Sequence, residues 1–329
     1  MYYNVLKNTI DYYRSNGSHV FACFIDFSKA FDSVNYWKLF TKLLNDKVDG
    51  KIVSILAFWY SNQECFVRWR NSVSGSFHIG NGTKQGGVLS PYLFSRYIRE
   101  LIACVVDSGV GCYVANQCLN ILAYADDIVL ISPSWKSMQL LLNILHSSAI
   151  SINLSCNISK CVSMMFKPQD CKWIVANSFP LFQIGTNKIN FVKQFKYLGH
   201  ILSDTCSDNE DIFREVRSCF MRTNILKRKF NHCSYSVKIL LFKTYCLCFY
   251  DIGLWWSYSV SAINKFKSCY NRCIKLFFGF KRRDSLTQVL ISLGIPTFDT
   301  VLFNARHILN KSCNSCQNPL VNIFPLSNL

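Results

Sequence analysis

The segment NILAYADDIVLIS (120–132) leaves a chain few ways to fold. Two adjacent acids, Asp126 and Asp127, interrupt a run that is otherwise almost wholly apolar. Short apolar runs on either side of a break read as two buried strands joined by a tight turn, which puts both carboxylates at the tip of a hairpin. An Asp-Asp pair in a turn is commonly just solvated turn chemistry. Here the approaches are more apolar than a solvent-facing turn needs.

A second acid-ended strand lies 100 positions upstream, where HVFACFID (19–26) reads as a buried strand that stops at Asp26. From Phe31 the period changes. Val34, Trp37, Phe40, Leu43 and Leu44 fall on one face at helical spacing, so 31–45 is predicted as an amphipathic helix with Asp32 as its N-cap. Residues 52–60 predict another helix, and 65–80 a pair of strands around Asn71 to Gly75. The stretch GNGTKQGGVLSPYLF (80–94) is a glycine-rich loop feeding a helix that begins near Ser90 and Pro91. A helix over 136–150 and a strand over 161–166 follow. Beyond about residue 205 the pattern becomes mostly helical, and the helix predicted over 208–230 begins acidic and ends basic, as the helix dipole prefers. A boundary near 204–208 is expected.

One carboxylate ending a buried strand and two more at a hairpin tip are what a pair of divalent ions ~3.5–4 Å apart requires in phosphoryl transfer. Magnesium suits such a site, since it takes hard oxygen ligands and keeps positions open for phosphate and water. Spacing alone does not show that Asp26 and Asp126 meet.

Charge points to a polyanionic partner. Of the 329 residues, 36 are Lys or Arg and 19 are Asp or Glu, a formal +17. The excess is uneven, with 15 basic and 11 acidic residues in 1–170 (net +4) against 21 and 8 in 171–329 (net +13). A basic C-terminal half favours nucleic acid over an anionic membrane surface. The 17 cysteines are odd in number and spread over a long chain, which fits reduced core thiols better than a disulfide scaffold. Lys7, Asp11 and Arg14 break any apolar signal sequence at the start, so a nuclear or cytoplasmic setting is expected. The apolar segment 244–263 is read as a buried aromatic-rich helix rather than a membrane span, because Asp251 falls near its middle.

FIDFSKAFDSV (24–34), GTKQGGVLSPYLF (82–94) and AYADDIVL (123–130) resemble, in this order, the A, B and C motifs of reverse transcriptases. The wording DFSKAFDSV, together with KYLG (196–199), is similar to the non-LTR retrotransposon group, the LINE-like elements. LSCNISKCVSMMF (154–166) resembles the following motif D, and FKYLGHIL (195–202) the primer-grip motif E. The resemblance implies an RNA-directed DNA polymerase of α+β fold: a palm with an antiparallel sheet and packed helices over 1–204, then a basic, helical, thumb-like region over 205–329.

Carried over residue by residue, it implies that Asp26, Asp126 and Asp127 are the catalytic carboxylates that bind two Mg²⁺ ions, with Mn²⁺ as an alternative. Phe31 matches the bulky gate that excludes a 2′-hydroxyl, and Gln85 and Gly86 match the motif B pair beside the incoming nucleotide. Lys160 falls where the family has a lysine that protonates the pyrophosphate leaving group; a solvated lysine before a strand is the plainer reading. Tyr124, Phe195, Tyr197, Leu198 and Gly199 resemble residues that hold the primer. The implied partners are an RNA template, a DNA primer and deoxynucleoside triphosphates. Cys313 and Cys316 form a CxxC near His307, but no second ligand pair follows it.

The chain opens 25 residues before Asp26. The family's upstream fingers motifs are therefore expected to lie outside it, and the chain to be a piece of a longer polyprotein. The competing reading is a catalytically inactive, nucleic-acid-binding remnant of such an element.

Overall fold

The structure, a computed structural model, describes residues 1–169, 176 and 178–323. It divides into two units: Tyr12–Val192, and Met1–Asp11 together with Lys193–Leu329.

The first unit is built on a four-stranded antiparallel sheet in the order Val162–Phe166, Val20–Ile25, Asp127–Ser132, Ile121–Tyr124. All six residues of Val20–Ile25 are buried, as are Ile128 through Ser132. That explains why these strands read as continuous apolar runs instead of alternating ones. One face carries Phe21, Cys23, Ile25, Ile128 and Leu130, which pack with Leu141, Leu142 and Leu145 of helix Trp135–Ser151 and with Leu93, Phe94 and Tyr97 of helix Ser90–Tyr97. Ser134 caps the longer helix by accepting a hydrogen bond from the Ser137 backbone N–H at 3.2 Å. An antiparallel sheet with helices against one face is the α+β arrangement expected.

Two sequence expectations in this unit need correction. The helix expected from Phe31 starts at Tyr36, and its N-cap is Asn35, whose side chain accepts from the Lys38 N–H at 3.0 Å; Asp32 caps nothing. Residues 31–34 are instead engaged by the glycine-rich loop, through Thr83 N–H to the Phe31 carbonyl (2.8 Å) and Gly82 N–H to the Val34 carbonyl (2.9 Å). The buried face of that helix is also rotated from the one expected. Tyr36, Leu39, Phe40 and Leu43 are buried, while Trp37 and Leu44 are exposed, because the helix begins five residues later and no longer continues the Val34 face. The hairpin around Asn71 is present, as Arg68–Trp69 paired with Ser72–Val73 inside a second pair, Glu64–Cys65 with Phe77–His78.

The second unit is helical after one hairpin, Gln194–Tyr197 paired with His200–Ser203. Its turn residues Leu198 and Gly199 both have positive φ, the conformation that two-residue hairpins favour. Gly199 is required there, since a Cβ would lie 2.6 Å from the Tyr250 ring. Helix Asn209–Phe230 packs along helix Val260–Phe278, which is capped by Ser259 and ended by Gly279 in the left-handed region. The buried helix expected over 244–263 is absent. Helix Tyr235–Tyr245 stops, Asp251 turns the chain at φ 42, a short 3₁₀ turn covers Ile252–Leu254, and Trp255 leaves it extended. Gly253 sits so close to the Ala305 carbonyl that a Cβ would lie 2.8 Å from its oxygen, so this aromatic segment is buried as a turn against helix Phe298–Asn314. Among the described residues, no single helix is long and apolar enough to cross a membrane.

A buried carboxylate ties this unit together. Asp211 accepts from Arg214 Nε (2.7 Å), Trp255 Nε1 (2.8 Å) and the Ile201 N–H (3.0 Å), and lies 2.9 Å from His200 Nδ1. It thereby joins the hairpin, the helix and the turn. Burial alone would raise its pKa, but the hydrogen bonds from His200, Arg214 and Trp255 outweigh that and hold it well below the usual carboxylate range. Replacing Asp211 with Ala strands those donors and is expected to cost roughly 3–5 kcal/mol in chemical denaturation at neutral pH. The depressed pKa means that the stabilisation is complete above the unfolded-state pKa and is lost as pH falls below about 5. The gap between wild type and variant is therefore expected to narrow when the same denaturation is repeated at progressively lower pH.

Candidate active site

Antiparallel register brings the sheet-end acids together. Ile25 pairs with Ile128, so the next position outward sets Asp26 against Asp127 on the neighbouring strand. Tyr124 pairs with Asp127 across the two-residue turn Ala125–Asp126, which puts Asp126 at the tip one position further on. Ala125 takes a positive φ of 54 to make this turn, a conformation costing a non-glycine residue roughly 1–2 kcal/mol. Well-buried strands on both arms over-determine the turn.

The neighbouring acids act on Asp127 electrostatically. Partial desolvation against the sheet, then the charges of Asp126 and Asp26, raise the Asp127 pKa above the ordinary carboxylate value. Asp26 Oδ2 is buried and accepts no hydrogen bond, while Lys160 Nζ lies 3.6 Å away, at ion-pair distance. A solvent-starved carboxylate oxygen beside two further acids is a donor set that fits a hard divalent cation. The segment carrying Lys160 is held to the strand end by the Asn157 N–H donating to the Asp26 carbonyl at 2.7 Å, and by the Ser28 N–H donating to the Ser155 carbonyl at 2.8 Å. The lysine itself is mostly exposed.

Phe31 stacks on Phe94, with ring centroids 4.6 Å apart and planes inclined by 23°. Phe94 is fully buried on helix Ser90–Tyr97, so one helix supplies the backing for Phe31. The loop before that helix is tightly tied. Gly82 has φ 94 and lies against the Asp32 backbone, where a Cβ would come 2.8 Å from Cα. Ser90 Oγ donates to the Lys84 carbonyl at 2.5 Å and Gly87 N–H to the same oxygen at 3.0 Å, leaving Gln85 and Gly86 exposed on the loop crest. Gly86 also has positive φ (81). Beside this loop is a cleft of about 540 Å³ lined by Asp32, Trp59, Gln63, Glu64, Lys84 and Gln85. Phe94 was visible in sequence only as the end of the motif B stretch; its role as a backing ring needed the fold.

Asp26, Asp126, Asp127, Lys160 and Tyr124 gather at one end of the sheet, and Phe31, Gln85 and Gly86 belong to the same unit. Phe195, Tyr197, Leu198 and Gly199 belong to the hairpin of the other unit. Cys316 N–H donates to the Cys313 carbonyl at the end of helix Phe298–Asn314, and His307 of that helix stacks on Phe303.

Carbon-13 NMR titration of the aspartates is expected to find Asp127 titrating above the ordinary value of about 3.9, and to find it shifted down in Asp126→Asn, which removes one neighbouring negative charge. An unchanged midpoint in the variant would contradict the proximity described.

Residues 3–202 match a sequence profile of the family described as reverse transcriptase (RNA-dependent DNA polymerase). Over 212 residues the chain is 29% identical to the retrovirus-related Pol polyprotein from the type-2 retrotransposable element R2DM of Drosophila melanogaster, covering 60% of this chain and 20% of that protein. Over 218 residues it is 27% identical to the retrovirus-related Pol polyprotein from a type-1 retrotransposable element R2 of Popillia japonica, covering 61% of this chain and 34% of that one. The chain thus spans a fifth to a third of the length of these curated relatives. Among solved structures, apo telomerase from Candida tropicalis matches with a TM-score of 0.49 at 13% identity, over 98% of this chain and 56% of that one.

Proposed function

This chain belongs to the reverse transcriptase (RNA-dependent DNA polymerase) family, and from that premise we propose that it carries the polymerase palm of a LINE-like retrotransposon, extending a DNA primer along an RNA template. The observation that carries the reading is the sheet-end register, with Asp26 opposite Asp127, Asp126 at the adjoining tip, and a buried carboxylate oxygen lacking a hydrogen bond. Residues 1–204 act as palm with part of the fingers, and 205–329 as a basic thumb that grips the duplex through phosphate contacts.

The family uses divalent metal ions, and here the pair is Mg²⁺, with Mn²⁺ as a substitute. When bound, such ions activate the primer 3′-hydroxyl and neutralise charge on the triphosphate. Asp26 and Asp126 hold them, and Asp127 lends the third carboxylate. Partial burial and the charges of Asp126 and Asp26 both disfavour an ionised Asp127, and a bound cation would offset that. The deoxynucleoside triphosphate lies against Phe31, whose ring cannot yield to a 2′-hydroxyl because Phe94 backs it at 4.6 Å. Gln85 and the side-chain-free Gly86 flank the nucleotide on the exposed loop crest. Lys160, held near the same carboxylate, gives a proton from Nζ to the departing pyrophosphate. Tyr124 lies beside the primer terminus, and Phe195, Tyr197, Leu198 and Gly199 steady the primer strand.

Primer extension on an RNA template with Mg²⁺ and deoxynucleotides tests the reading. Asp126→Ala is expected to lose at least about a hundredfold in incorporation, the scale on which removing one charge-stabilising group acts. Equal incorporation by both proteins would sink the assignment. Salt-dependent nucleic-acid binding without any extension, unaffected by Asp126→Ala, would point instead to a non-catalytic binding remnant. In the same assay Phe31→Val is expected to raise ribonucleotide use relative to deoxynucleotide use several-fold, while deoxynucleotide incorporation persists.

A further inference from the structure

Far along the sequence from the carboxylates, three thiols converge in the core of the C-terminal unit. Cys219 lies on helix Asn209–Phe230, and Cys269 and Cys273 lie one turn apart on helix Val260–Phe278. All three are buried, with exposures of 0, 4 and 0%. Cys273 Sγ is 3.8 Å from Cys219 Sγ and 3.9 Å from Cys269 Sγ, and all three sulfurs lie within 4.8 Å of one another. Among the described residues no other group of three His, Cys, Asp or Glu side chains closes to this distance.

Those separations are far too long for an S–S bond. They match another geometry. Zinc binds cysteine sulfur at about 2.3 Å, so two ligands of a tetrahedral site are about 3.8 Å apart. A fourth thiol stands close by. Cys246 is fully buried, and its sulfur is 3.5 Å from the hydroxyl of Thr223, one helical turn beyond Cys219. Cys246 belongs to the same buried core as the three thiols and feels the charge of Cys273, although its sulfur is not within 4.8 Å of all three. Positive charge to offset thiolates is also at hand, since Arg272 acts on Cys269 and Cys273. Soft sulfur ligands select zinc over the hard magnesium ion that an all-oxygen site takes, so the two sites would not compete for one metal.

We propose that Cys219, Cys269 and Cys273, joined by Cys246 as the fourth ligand, bind one structural zinc ion that staples helix Asn209–Phe230 to helix Val260–Phe278. With the sulfurs buried, the ion enters as the unit folds and its binding energy becomes folding energy. The site is distinct from Cys313 and Cys316.

The test is the metal content of the whole chain, purified reduced and dialysed without chelator, followed by replacement of its metal with Co²⁺. One equivalent of zinc per chain is expected, with cobalt giving sulfur-to-metal charge-transfer absorption and the intense visible bands of tetrahedral coordination. Cys273→Ser is expected to lose that equivalent, the double variant Cys313→Ser with Cys316→Ser to keep it, and Cys246→Ser to weaken the charge-transfer absorption. A folded wild-type chain with no bound zinc, or a cobalt spectrum lacking the sulfur band, would overturn the proposal. So would loss of zinc in the Cys313/Cys316 double variant with retention in Cys273→Ser. The wild-type cobalt spectrum decides even where Cys273→Ser does not fold.

Discussion

The pairing of strand Val20–Ile25 with strand Asp127–Ser132 is the constraint on which the candidate site rests. A shift of one residue would turn every side chain to the opposite face, and both strands are buried on both faces, so the register has little freedom. That register carries Asp26 to a position opposite Asp127. Partial burial first, and then the charges of Asp126 and Asp26, push the Asp127 pKa up. The apolar strands supply the energy that holds the acids there.

The second unit inverts this arrangement. Asp211 is also a buried carboxylate, yet its donors hold its pKa down, because His200, Arg214, Trp255 and the Ile201 N–H all point at it. Lys7 and Asp208 form a second buried pair at 2.5 Å, with Asp208 Oδ2 also accepting from the Trp256 and Ser257 N–H groups at 2.9 Å. The donors around Asp211 and Asp208 tie the elements of this unit together.

Much of the fold was legible because local pattern and final environment agree. The hairpin 120–132, the strand 161–166 and the helices near 52–60, 136–150 and 208–230 all formed close to where periodicity put them. The failures have physical causes. Phe31 to Val34 carried a helical pattern but were recruited by the backbone of Gly82 and Thr83, and the cap passed from Asp32 to Asn35. The apolar segment 244–263 promised a helix, but a left-handed Asp251 and the close approach of Gly253 to Ala305 made it a buried turn. Apolarity marks burial and says nothing of backbone shape.

From sequence alone came the candidate residues, the order of the motifs and the strands ending in acids, because side-chain type and period are local properties. Tertiary structure decided that Asp26 faces Asp127, that Phe94 backs Phe31, that Asp211 collects its donors from three elements, and that Cys219 meets Cys269 and Cys273. Each is a contact between elements distant in the chain, set by strand register and helix packing, and no local pattern encodes which partner a side chain will find.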